Sequence, residues 1–123
     1  MASDDTERLI RTAFGSIWSL ELLLVVRQRP DHAWSRPELI DALRASEQVV
    51  VRSTSDLIAV GLVTVEGGMV RYAPNDDALH RTVGDVAALY ASRPAAVRRL
   101  IIGGGIDPVT RFADAFRFRK EEP

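Results

Sequence analysis

Two adjacent glycines, Gly67-Gly68, lie between Leu62-Val63-Thr64-Val65-Glu66 and Met69-Val70-Arg71-Tyr72-Ala73, and no other stretch limits the possible folds of this chain as strongly. A two-residue hairpin loop requires positive φ at its centre, which glycine adopts without steric cost. The flanking runs are rich in β-branched and aromatic residues, so the spacing predicts strand, tight turn and strand. Gly61, just upstream, is a helix stop. A hairpin therefore follows directly on the end of a helix.

The helices around it are marked by their caps. Ser35-Arg36-Pro37-Glu38 has the form of a capping box with proline in the first turn, and Leu39, Ile40 and Leu43 line one side of the helix it opens, opposite Asp41 and Arg44. A tight turn at Ala45-Ser46 leads to a further helix, capped by Ser46 and running to about Val60. Two short helices joined this way form a helix-turn-helix. Upstream, Leu9, Ile10, Ala13, Phe14, Ile17, Leu20 and Leu24 predict a single long helix from about Thr6 to Arg29. Trp18, Leu22, Leu23, Val25 and Val26 widen its apolar stripe, so its second half is either the central core helix or packs on a second copy. Downstream, Pro74-Asn75-Asp76-Asp77 opens a fourth helix through Leu79, Val83, Val86 and Tyr90, and Ser92-Arg93-Pro94 opens a fifth through Val97, Leu100 and Ile101.

The chain of 123 residues suits one hydrophobic core. The expected organisation is a disordered start (1–5), one compact domain (6–102), a glycine hinge (103–106) and an amphipathic C-terminal segment (107–123). Hydrophobic residues at 46% and charged residues at 27% match a globular domain rather than a disordered chain. With no cysteine, disulfides, thiolate zinc sites and cysteine nucleophiles are excluded. Met1 to Glu7 is acidic and lacks the basic start of an export signal, and the most apolar run, Ala13 to Val26, is shorter than the roughly 20 residues that span a bilayer. The expectation is a cytoplasmic protein. His32 and His80 lack metal-ligand spacing, Gly103-Gly104-Gly105 lacks the Lys-Ser/Thr of a phosphate loop, and no nucleophile–base pairing is visible. Neither a cofactor nor catalysis is expected.

The stretch WSRPELIDALRASEQVVVRSTSDLIAVGLVTVEGGMVRYAP, Trp34 to Pro74, resembles the winged helix-turn-helix domains of bacterial transcription regulators such as the MarR-like and PadR-like groups. The order helix, short strand, helix, turn, helix, two-stranded wing, helix carries the likeness. It implies an α+β, mostly helical fold and a homodimeric regulator that places its third helix in the major groove of double-stranded DNA. Val50, Thr54, Leu57 and Val60 then face inward, leaving Gln48, Val49, Arg52, Ser53, Ser55 and Asp56 outward. Gln48 suits an adenine edge, Arg52 a guanine or phosphate, and Ser53 or Ser55 a phosphate. Ser35 and Arg36 start the preceding helix, and Arg71 lies on the wing. The dimer contact is expected from the second half of the first helix with the fourth and fifth.

The charge of this stretch departs from the pattern. Arg36, Arg44, Arg52 and Arg71 face Glu38, Asp41, Glu47, Asp56 and Glu66, whereas a DNA-binding face is ordinarily basic. Val49 and Val51 add apolar surface. The competing expectation is a protein-recognition adaptor that binds through the third helix or through a C-terminal segment carrying Phe112, Phe116, Arg117 and Phe118. Apolar anchors at helical spacing can lie in a partner's groove. Glu121 and Glu122 argue against a membrane surface as the target.

Overall fold

The computed structural model describes residues 4–103. These form α1 (Asp4–Ala13), α2 (Ile17–Gln28), α3 (Arg36–Leu43), α4 (Glu47–Ala59), β1 (Val63–Glu66), β2 (Met69–Tyr72), α5 (Asp77–Ser92) and α6 (Pro94–Gly103). The class is α+β, mostly helical, with one two-stranded antiparallel hairpin. The helices α1, α5 and α6 pack on one another, while α2 packs on α3, α4 and β2, and a single apolar core joins the two groups.

The long helix expected from Thr6 to Arg29 is two helices bent by 112°. Ser16 is extended (φ −160°, ψ 170°), and its Oγ accepts the Trp18 N–H at 3.2 Å, capping α2. The apolar spacing runs through the corner because Ala13, Phe14 and Leu20 are buried on both sides of it, so periodicity alone could not reveal the break. Asp4 and Asp5, expected to be disordered, begin α1 instead, where their charge and that of Glu7 complement the positive end of the helix dipole.

The apolar second half of α2 is consumed within the chain. Leu20, Leu22, Leu23 and Val26 are fully buried, each contributing about 1.5–3 kcal/mol by removal from water. This half is the central core helix, with Leu24 and Val25 half-buried against the same core.

Caps define the remaining elements. At α3, Ser35 Oγ accepts the Glu38 N–H (3.2 Å) and Glu38 Oε1 accepts the Ser35 N–H (2.8 Å), the reciprocal pair of a capping box. The Ser35 N–H and the His32 ring hold the Glu38 carboxyl below its ordinary range. Arg44 turns the chain in the left-handed region (φ 54°), and Ser46 caps α4 through the Val49 N–H at 3.2 Å. α4 ends in a Schellman motif, with Leu62 N–H donating to Leu57 O and Gly61 N–H to Ile58 O, both at 3.0 Å. Gly61 supplies the required positive φ of 75°, and Leu57 and Leu62 are both buried beneath the motif.

The strand register pairs Val63 with Tyr72 and Val65 with Val70, and Gly67 and Gly68 take the positive φ of the tight turn. Trp34 adds a one-residue bridge to Val70, with reciprocal backbone bonds of 2.8 Å. Asp76 caps α5 through the Leu79 N–H (2.7 Å). Tyr72 Oη, 2.7 Å from His80 Nδ1, ties the hairpin to α5, and Tyr90 O–H donates to Glu21 at 2.5 Å, tying α5 to α2. Among the described residues no single helix is long and apolar enough to cross a membrane.

Gly61→Ala is expected to destabilise the protein by about 1–2 kcal/mol, the cost of a left-handed non-glycine residue, compounded by a Cβ that would strike the Asn75 side chain. Urea unfolding would read this as a lower midpoint at unchanged slope. Glu38 has a lowered folded pKa, so its contribution is complete above the unfolded glutamate value and is lost as pH falls through the folded one. The stability difference between the wild type and Glu38→Gln should therefore shrink on acidification between about pH 5 and 3, as followed by urea midpoints.

Candidate interface on α4 and the hairpin

The outward side of α4 starts from its helical geometry. Val50 and Leu57 are buried, so positions three or four residues from them share the inward face, and those two or five residues away face solvent. Gln48, Arg52 and Ser55, at i, i+4 and i+7, form one exposed row, as expected. Arg52 makes no ion pair or hydrogen bond to any described residue. Val49 is half-buried.

Two of the residues expected outward face the other way. Ser53 is only 2% exposed, because it lies three residues after Val50 and four before Leu57 on the core stripe, and it is not available as a reader. Asp56 is half-buried, and its Oδ2 accepts a hydrogen bond of 2.7 Å from Ser19 Oγ. Ser19 is itself fully buried on α2, so this bond supplies its hydroxyl with an acceptor. Thr54, expected inward, is half-buried and bonds the Val50 carbonyl at 2.8 Å.

The flanking candidates are present but engaged. Ser35 is spent on the α3 cap. Arg36 Nη1 pairs with Glu47 Oε2 at 3.0 Å across the α3–α4 turn, an exposed pair worth little in stability but one that offsets both charges locally. Arg71 is exposed, and its Nη1 reaches the Asp31 carbonyl at 3.3 Å, toward the loop before α3 rather than the hairpin tip. With Asp56 withdrawn, the exposed ionisable residues from Ser35 to Ala73 are Arg36, Arg44, Arg52 and Arg71 against Glu38, Asp41, Glu47 and Glu66. The surface is balanced where the sequence count was acidic.

Sequence reasoning missed an apolar groove. Val51, Ile58 and Val65 are 41%, 47% and 42% exposed, and all three line one open hollow of about 210 Å³ between α4 and the hairpin. Leu39, Val50 and Val70 also line it, with Arg36 and Ser55 alongside. The register explains the hairpin wall. Val63 and Val65 share a face with Tyr72 and Val70, and the row passes beyond the core before it reaches Val65. On α4, Val51 and Ile58 are seven residues apart, two helical turns, a signal that the sequence did contain.

His32 Nε2 lies 3.1 Å from Glu38 Oε2, and among the described residues no group of three His, Cys, Asp or Glu is placed to hold a metal. Phe112, Phe116, Arg117 and Phe118, with the rest of the 104–106 and 107–123 segments, lie outside the described residues. The chain matches no family model, no curated protein and no solved structure.

Asp56→Ala would leave the buried Ser19 hydroxyl without its acceptor. The expected loss is about 1–3 kcal/mol, read as a lower urea midpoint, and the double variant Ser19→Ala/Asp56→Ala should recover part of it.

Proposed function

We propose that this chain is a non-enzymatic winged helix-turn-helix protein that binds double-stranded DNA, with α4 as the reading helix, the β1–β2 hairpin as the wing and a homodimer as the working form. The observation that carries this reading is the inward turn of Asp56 onto Ser19. It removes a carboxylate that would oppose phosphates and leaves Gln48, Arg52 and Ser55 as an exposed polar row on the second helix of a helix-turn-helix. Gln48 suits an adenine edge and Arg52 a guanine edge. Val51, beside Arg52, suits a thymine methyl group.

Few cations support this face, so sequence discrimination must rest on base contacts more than on the phosphate backbone. A second reading is favoured by one specific observation. The groove lined by Val51, Ile58 and Val65 is apolar where a phosphate-binding surface is polar, and it suits an adaptor that captures a protein segment instead of DNA.

The experiment that separates the two is selection of bound sequences from a random DNA pool by the full chain at two salt concentrations. DNA reading predicts an enriched motif and a modest salt dependence, about two or three phosphates per protomer and so about four to six per dimer, hence a log–log slope of roughly −4 to −5. Arg52→Ala should then weaken the selected site by about 1–3 kcal/mol, while Ser53→Ala should leave specificity unchanged. No enrichment at either salt would reject DNA reading in favour of the adaptor.

A further inference from the structure

The described surface carries five large exposed apolar side chains, Trp18, Val51, Ile58, Val65 and Ile102, and three of them converge on the groove between α4 and the hairpin. Single exposed apolar residues need no explanation, whereas a convergent group calls for an occupant. The same chain carries, beyond α6, a segment with three of its four phenylalanines, Phe112, Phe116 and Phe118.

We propose that the α4–hairpin groove seats this C-terminal segment of its own chain, with a phenylalanine ring from it inserted between Ile58 and Val65. Size, reach and apolar lining support the assignment. An apolar cavity of about 150 Å³ admits benzene, so a groove of about 210 Å³ takes one phenyl ring. From Gly103 to Phe112 is nine residues, about 30 Å of extended chain. A domain of this size has a radius of gyration near 13 Å and hence a diameter of about 33 Å. Phe116 and Phe118 reach further still.

Apolar lining selects this groove over a nearer hollow. The depression between α1, α5 and α6 is lined by Glu7, Ser92, Arg93 and Arg99 as well as by Leu89, Ala96 and Leu100. Among the described residues, Arg36 is the single charged one lining the α4–hairpin groove, and Glu47 offsets it. Val51 and Ser55 line this groove and also belong to the proposed reading face, so a seated segment would compete with DNA there, while the assignment itself depends only on the groove and the reach of the chain.

The absence of cysteine allows a unique spin label at Thr110→Cys in the full chain. In a ¹⁵N-labelled, spin-labelled protein, the amide signals of Val51, Ser55, Ile58 and Val65 should lose at least half their intensity relative to the reduced label. Ile58→Glu, at an exposed position, and separately the triple change Phe112→Ser/Phe116→Ser/Phe118→Ser, should each restore these signals. A mixture of ¹⁵N-labelled chains without the label and unlabelled chains carrying it should show no such loss. Broadening centred on Leu89 and Leu100, broadening spread evenly over the domain, or equal broadening in the mixed sample would each overturn the proposal, the last by assigning the groove to a second copy.

Discussion

The contact between the α1–α2 corner and α4 governs the rest of the molecule. Gly15 lies so close to Asp56 that a Cβ would come within 2.7 Å of its carboxylate oxygen, and one turn later the buried Ser19 hydroxyl donates to that same oxygen. A buried hydroxyl left without a partner is costly. The pair, together with Val50 and Leu57 buried on the same side, fixes the rotation of α4 about its axis, and that rotation decides which side chains reach solvent. Turning Asp56 inward places Ser53 inward as well, while Gln48, Arg52 and Ser55 remain outside. The same corner lets α2 enter the core at a steep angle to α1 and bury its apolar residues on more than one side.

The surface that results combines two chemistries that ordinarily belong to different partners. Around its polar row, Arg36 is engaged by Glu47 and Arg71 by the Asp31 carbonyl, which leaves Arg44 and Arg52 as the exposed arginines without a side-chain partner among the described residues. Beside the row lies an apolar groove whose walls come from two elements, the Val51 and Ile58 side of α4 and the overhanging Val65 of β1. Electrostatic attraction to a polyanion is long-ranged and salt-sensitive, whereas filling an apolar groove depends on contact. A partner of a face with balanced charge and exposed valine and isoleucine would therefore be selected through shape and close contact more than through its field.

Much of the architecture was legible because it is written in local signals. The Ser35–Glu38 capping box, the Ser46 and Asp76 caps, the Gly61 stop and the Gly67-Gly68 turn each act within a few residues, and each stands where the sequence places it. The break in the first helix was not legible, because burial of Ala13 and Phe14 on one side and Leu20 on the other keeps the helical period intact across it. Gly15-Ser16 was the only local sign, and a lone glycine in an apolar helical pattern is commonly tolerated. Sites on α4 were half legible. Periodicity identified Val50 and Leu57 as inward and Gln48 and Arg52 as outward, but Ser53, on the stripe, and Asp56, at its margin, were assigned to solvent because they are polar.

By itself, the sequence determined the number and order of most elements, their caps and the hairpin, since these rest on backbone preferences and side chains that act on their own neighbours. Tertiary structure alone decided that the first helix bends, that Asp56 points inward to a serine 37 residues away, and that Val51, Ile58 and Val65 meet in one groove. Those outcomes depend on contacts between segments distant in the chain. A polar side chain at the edge of a helix stripe has no intrinsic preference for one side, and the partner that meets it there settles the matter.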